Sequence, residues 1–377
     1  MTSIESCAVR VDRRARGLKT SPRAPALDGG SFVAQHRTSM ATARLRDVAD
    51  AAGVNPSIAS RVLNGDPTVS IRPETRTRIN AAAERLGYRP NAFARALKLR
   101  RSMTLGLVLP NIVSHVNGEI IRAAERRAAA SGYMILVADG DEFARTGALY
   151  RRLLLESRVD GLILASVRTG DEVLAALDER SLPYVLLNRR PDGSGVSVSA
   201  DDEAGMALGV EHLASAGHRR IAHIAGPQDA DTGRRRLAGY RRAVRSLGLE
   251  QHRSLVVRAP FTERGGFGAM QRLLQTTPRP TAVTASSLTA AVGALSAARR
   301  AGVAVPADLS IVAFHDAALA EYLIPALTTV RMPLREMAEI AVDVLHRRIE
   351  GAGGESIVVA TRPELVERES VAPPRSR

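Results

Sequence analysis

Leu45-Arg46-Asp47-Val48-Ala49-Asp50-Ala51-Ala52-Gly53-Val54-Asn55-Pro56-Ser57-Ile58-Ala59-Ser60-Arg61-Val62-Leu63-Asn64 reads as two short helices joined by a tight turn. Leu45, Val48, Ala49 and Ala52 recur at i, i+3, i+4 and i+7, which makes one apolar helical face. Gly53 supplies the positive φ of a sharp helix exit. Asn55 is an N-cap residue, and Pro56 at the first helical position gives up no useful donor. Ala59, Val62 and Leu63 give the second helix a buried side, while Ser57, Ser60, Arg61 and Asn64 point outward. An ordinary αα-hairpin shares the apolar pattern, but the outward polar set is what a helix-turn-helix presents to a DNA groove.

Outward from this stretch, a third helix starts at Pro73-Glu74, with Ile79, Ala82, Ala83 and Leu86 as its apolar face and Gly87 as its stop. Asn91 can cap a short helix over 92–98, and Arg100-Arg101-Ser102 reads as a linker. Residues 1–39 lack periodicity and are rich in Arg, Ser, Pro and Gly, which predicts a disordered basic tail. Met40 is a candidate start codon. From Thr104 the texture changes. Strands are predicted at 105–109, 133–137, 161–164, 184–187, 221–224, 282–284 and 310–314. Helices are predicted at 117–131, 145–157, 202–215, 234–247, 264–275, 288–301 and 333–350. Alternating strands and helices mean parallel sheets covered on both faces, and so many strands suggest two sheets. Ligands of such sheets lie at the carboxyl ends of the strands, so a cleft between two lobes is the expected pocket.

Composition narrows the classes. The chain has 377 residues, is 45% hydrophobic, and carries a formal charge of +14, which suits an anionic partner. The excess is arginine, since Lys19 and Lys98 are the only lysines; a GC-rich genome produces the same bias. Cys7 is the sole cysteine, so an intramolecular disulfide and cysteine metal clusters are excluded, and a reducing cytoplasmic setting fits. No apolar run spans a membrane, and no export signal opens the chain. A nucleophile elbow, a P-loop and a strand-linked GxGxxG are all missing, which argues against an enzyme. His212, His218 and His223 fall on a helix, a turn and a strand, so framework roles are expected rather than a metal site. No cofactor is expected.

Residues 44–372 resemble the lactose-repressor (LacI/GalR) family of bacterial transcription regulators. The resemblance rests on Asp47-Val48-Ala49, Ala52-Gly53-Val54 and Ser60-Arg61-Val62-Leu63-Asn64, then Leu86-Gly87-Tyr88-Arg89-Pro90-Asn91 and Ala94-Arg95-Ala96-Leu97. Val159-Asp160-Gly161, Gly217-His218-Arg219-Arg220-Ile221, Leu237-Ala238-Gly239-Tyr240, Val305-Pro306-Ala307-Asp308-Leu309-Ser310 and Leu327-Thr328-Thr329-Val330 extend it. The order and spacing together make it specific. It implies an all-α helix-turn-helix headpiece (40–89), a hinge helix and linker (90–102), and an α/β core (103–372) of two parallel-sheet lobes shaped like a periplasmic binding protein. One lobe is expected at about 104–213 and 331–358, the other at about 214–330 and 359–370, with a short tail at 373–377. A homodimer is implied, with no leucine heptad after Ser370 to build a tetramer.

The resemblance also implies a mechanism. Pro56, Ser57 and Arg61 would face base edges of double-stranded DNA, while Asn55, Ser60 and Asn64 bind phosphate. Asn91, Ala94, Leu97 and Lys98 belong to the hinge, where Leu97 would wedge into the minor groove. A twofold dimer demands a pseudo-palindromic operator. An effector between the lobes would control DNA binding, with repression the habit of the family. Arg236, Arg189, Asp201, Ser286, His315, Asp316 and His115 fall at or near pocket positions. The family's aromatic pocket floor is replaced by Asn111-Ile112-Val113-Ser114-His115-Val116-Asn117. A sugar is the first expectation for the effector, with a sugar acid, a nucleoside or no ligand at all open. The rival reading is a periplasmic-type binding protein without DNA function, which would have no use for residues 44–98.

Overall fold

Among the described residues, the N-terminal unit of the computed structural model holds three helices: α1 (Leu45–Ala51), α2 (Pro56–Leu63) and α3 (Pro73–Arg85). The structure describes residues 43–66, 68–89, 101–140, 158–168, 173–190 and 195–375. The tail predicted over 1–39, the hinge residues Asn91, Ala94, Leu97 and Lys98, and the helix predicted over 145–157 lie outside them. Gly53 has φ +61 and turns the chain out of α1. The Asn55 side chain accepts the Ser57 amide at 2.9 Å and so caps α2. Val48, Ala49, Ala52, Ala59, Val62 and Ile79 meet in one small core. Arg78 Nε donates to the Ala52 carbonyl at 2.8 Å and ties α3 to the end of α1. Leu86 departs from the expected apolar face: it is the C-cap of α3 and is exposed, because the helix stops one residue earlier.

The second unit is built on two six-stranded sheets. The first contains β1 (Thr104–Leu109), β2 (Met134–Asp139), β3 (Gly161–Leu164), β4 (Tyr184–Leu187), β5 (Ser197–Ser199) and, near the chain end, β11 (Ile357–Val358). Its order is β11-β5-β4-β3-β1-β2, and all of its pairings are parallel. The second contains β6 (Ile221–Ala225), β7 (Val256–Arg258), β8 (Ala282–Ala285), β9 (Ser310–Phe314), β10 (Thr328–Arg331) and β12 (Glu364–Val366). Its order is β12-β10-β9-β8-β6-β7, parallel except for β12 against β10. The helices between them are α4 (Asn117–Ala130), α5 (Val173–Glu179), α6 (Asp202–Ser215), α7 (Asp231–Ser246), α8 (Glu263–Leu274), α9 (Leu288–Arg300) and α10 (Leu334–Ile349). The short strands β5, β7, β10 and β11 and helix α5 were not predicted, whereas β12 falls in the segment expected at 359–370, and α7 begins three residues before the expected start.

The chain crosses from the first sheet to the second earlier than the expected boundary at 213. Helix α6 packs on the second sheet, with Gly205 against Phe314 and Met332, and Gly209 against Val312 and Val330. The crossing therefore lies between Ser199 and Asp202. Helix α10 returns to the first sheet and packs on α4 and β4. Ser370 closes the structure: its buried hydroxyl donates to the Ile311 carbonyl at 2.6 Å and accepts the Thr328 amide at 2.9 Å. The Val159-Asp160-Gly161 motif also has a physical cause. The Asp160 carboxylate accepts the amides of Ser102 and Met103 at 2.6 and 2.9 Å, so it fixes where the chain enters the core.

Candidate functional site

In the N-terminal unit, α2 buries Ala59 and Val62 and leaves Asn55, Pro56 and Ser57 exposed. Arg61 lies on the same helix, half-exposed. Its Nε donates to Asp66 at 2.9 Å and its Nη2 to Thr68 at 2.7 Å. The guanidinium is thus oriented by the loop that follows, an arrangement the helical periodicity alone does not show. Asn64 Nδ2 donates back to the Ser60 carbonyl at 2.7 Å, which closes the last turn of α2. The outer face carries donors and one fixed fork, the chemistry of a DNA-reading helix.

The second unit holds a cavity of about 190 Å³ between the two sheets. Its walls come from the carboxyl ends of strands: Asn111 after β1, Asn188 and Arg189 after β4, Phe261 after β7, Ser287 after β8 and His315 after β9. Asn111, Asn188 and His315 have φ of +49, +51 and +70. Left-handed backbone in residues other than glycine is uncommon and clusters where structure is held for function. Asn117 is buried and donates to the carbonyls of Pro110 and Asn111, so it holds the first wall in place.

Arg189, Arg236 and His315 meet in this cavity. Arg236 is buried under it. Its Nε donates to Asp202 Oδ1 at 2.6 Å, its Nη1 to the Ser286 carbonyl at 2.7 Å and its Nη2 to His315 Nε2 at 3.1 Å. The guanidinium also lies over Phe314, 4.2 Å from the ring centroid. A guanidinium cannot accept a hydrogen bond, so His315 Nε2 is the acceptor and its proton sits on Nδ1. Burial, and then the charge of Arg236, push His315 well below its ordinary pKa and keep it neutral. Burial alone would raise the Asp202 carboxyl; Arg236 and Arg235 hold it below the usual carboxylate range.

Four expected pocket residues stand elsewhere. Asp201 caps α6 by accepting the Ala204 amide at 2.9 Å and faces a different groove beside Val358 and Arg362. Successive helix residues turn by about 100°, so the interior position falls to its neighbour Asp202. Asp316 is a framework anchor: it accepts from Thr329 at 2.7 Å, Arg331 at 2.8 Å and Arg368 at 2.9 Å. His115 lines a separate surface groove with Glu119. The Ser286 side chain is buried outside the cavity, and only its carbonyl serves, by holding Arg236. Sequence reasoning also missed Asp202, Arg235, Asn188 and Phe261. The pairs Asp201-Asp202 and Arg235-Arg236 carried the signal, but only three-dimensional phase tells which member turns inward. His218 and His223 have framework contacts. His218 meets Thr281, Ser310 and the Ala372 carbonyl, and His223 stacks on Tyr240 with centroids 4.8 Å apart.

Comparison with known proteins places both sites in one context. Residues 44–91 match the model of bacterial regulatory proteins of the lacI family, and residues 210–371 match a periplasmic binding protein-like domain. The HTH-type transcriptional repressor PurR of Erwinia tasmaniensis is 33% identical over 334 residues, spanning 88% of this chain and 97% of the relative. The chain belongs to the lacI family. Among solved lacI-family structures, the transcriptional regulator CelR in complex with cellobiose is 34% identical over 87% of this chain and 99% of its own, with TM-score 0.66. The lac repressor dimer bound to operator and the anti-inducer ONPF is 29% identical over 88% and 99%, with TM-score 0.73. The family is one of DNA-binding transcriptional regulators with a helix-turn-helix and a ligand-binding domain, and this chain is such a regulator. None of the helices among the described residues is long and apolar enough to cross a membrane.

Proposed function

We propose that this chain is a cytoplasmic homodimeric repressor that binds a pseudo-palindromic operator through α2 and is controlled by a sugar-class small molecule between the two sheets. The observation that carries the reading is the polarity of α2: Ala59 and Val62 face inward, while Pro56, Ser57 and the loop-braced Arg61 face out. The relatives named PurR are repressors, the lac repressor structure holds operator, and the CelR structure holds cellobiose. Self-association is supported by Tyr322 and Ile324, which are 77% and 86% exposed on one apolar loop. The effector acts by changing the free energy of DNA binding, and by linkage DNA changes effector affinity by the same factor. No catalytic role is assigned.

Arg61 is the proposed base-reading residue, with Pro56 and Ser57 beside it, Asn55, Ser60 and Asn64 towards phosphate, and Asn91, Ala94, Leu97 and Lys98 in the hinge. The test is selection of duplexes from genomic DNA by the full chain, followed by anisotropy titrations of the selected site. Arg61→Ala is expected to weaken the selected site by about 5- to 150-fold, and random duplex far less. Equal weakening of every duplex, with a salt slope reduced by about one, would make Arg61 a phosphate contact instead. Absence of any retained duplex at low salt would refute the reading as a whole.

A further inference from the structure

The buried charges beneath the cavity do not balance. Asp202 uses Oδ1 on Arg236 and Oδ2 on Arg235. Asp231 uses Oδ2 on Arg235 Nε at 2.8 Å and on the Arg190 amide at 3.0 Å, and its Oδ1 faces Arg234 at 3.8 Å. Arg189 has neither carboxylate as a hydrogen-bond partner. Its Nη1 donates to the Asn188 carbonyl at 2.8 Å, and its Nε is buried with no acceptor. Arg189, Arg235 and Arg236 are 9%, 5% and 3% exposed, so three guanidiniums share two carboxylates out of reach of water. Arg168, at the rim, is paired with Asp229 at 2.5 Å. Among the described residues, no aspartate or glutamate lines the cavity, and His315 is neutral. Burial, followed by the charge of Arg236, lowers the Arg189 pKa to about 10, although Asp202 and Asp231 oppose the shift without a hydrogen bond to it.

A buried ion without a counter-charge is unfavourable, and a guanidinium fork matches a carboxylate in shape as well as charge. A neutral sugar could accept from this fork through a hydroxyl oxygen, but it would leave the buried charge without a counter-ion. We infer that the effector carries a carboxylate that pairs with Arg189, and that it is a sugar acid of monosaccharide size. The inference rests on the proposed role of this cavity as the effector site. A volume of about 190 Å³ sets the size. Among the described residues, one surplus positive charge matches one carboxylate, and Phe261 adds an apolar part to the lining.

The test is calorimetric titration and thermal shift of the full chain with galacturonate, glucuronate and gluconate, against galactose, glucose and glucose 6-phosphate. At least one acid is expected to bind about tenfold or more tightly than its neutral counterpart, about 1.4 kcal/mol. Arg189→Gln, which keeps a donor and removes the charge, is expected to lose that margin while melting normally. If the variant does not fold, the wild-type comparison of acid with neutral sugar decides alone. A neutral hexose that binds as well as its acid, a phosphate ester that binds better, or an acid that binds Arg189→Gln undiminished overturns the assignment and leaves the cavity as an effector site. Failure of all six compounds to bind overturns the assignment. Retention of operator DNA that no small molecule alters would, separately, remove the proposed control by an effector.

Discussion

Replacing Asp202 by asparagine tests the electrostatic core of the second unit. The carboxylate is fully buried, and its partners Arg235 and Arg236 have side chains 6% and 3% exposed. Asparagine keeps the shape and removes the charge, leaving three buried guanidiniums with Asp231 alone. Breaking a buried pair from one side costs about 3–5 kcal/mol, because the abandoned charge stays out of water. At roughly 2–4 °C per kcal/mol for domains of somewhat smaller size, the melting temperature should fall by roughly 6–20 °C. Urea titrations followed by circular dichroism at pH 7 measure the loss directly. Glu203→Gln is the control, since its pair with Arg242 at 2.7 Å is half-exposed and worth about 1 kcal/mol at most. The sign with pH follows from the depressed Asp202 pKa: its stabilisation is present above the unfolded carboxylate value and is lost as pH falls through the folded one. Wild type and variant should therefore converge in strong acid. A loss at pH 7 no larger than that of the control would refute the account of this network.

Three further outcomes can be measured. His223 is fully buried, with its pKa lowered to about 3 chiefly by burial, so the unfolded chain binds the proton first. Its contribution is a stability loss of about 2 kcal/mol between pH 7.5 and 5 by denaturant titration, and a flat profile would contradict it. Gly266 sits where any Cβ would run into the Ala290 carbonyl, between α8 and α9. Gly266→Val should destabilise by about 3 kcal/mol or more in the same assay. Ser370→Ala removes a buried hydroxyl that both donates and accepts, and should lower stability by about 1–3 kcal/mol without changing DNA affinity.

The helix-turn-helix was legible because each of its signals is local. Gly53, Asn55 and the apolar spacing lie within twenty residues, and a helix of this length has one phase. The long strands and helices of the core were legible for the same reason. Strands of two to four residues, such as β5, β7 and β11, carry no period to read and exist through pairing with distant neighbours. The cavity was half legible. Arg236, Arg189 and His315 follow strands or open a helix, where sheet topology directs them inward. Asp201 and Asp316 are as acidic and as well placed in sequence, yet one caps a helix and the other holds β10 and the last strand. Choosing between Asp201 and Asp202 needed the rotation of α6 on the second sheet. Arg61 was read as an outward fork, but its brace by Asp66 and Thr68 depends on a turn whose geometry no spacing rule specifies.

The Asn188 carbonyl links the cavity wall to the segment where the chain crosses between the sheets. It accepts from Arg189 at 2.8 Å and also lies 3.4 Å from Arg235 Nη2. Arg235 belongs to a helix on the second sheet and also grips the Ala200 carbonyl, where the chain passes between lobes. A single oxygen thus joins the wall of the cavity to the crossing segment. A ligand paired with Arg189 would therefore pull on the same oxygen that Arg235 holds beside the crossing.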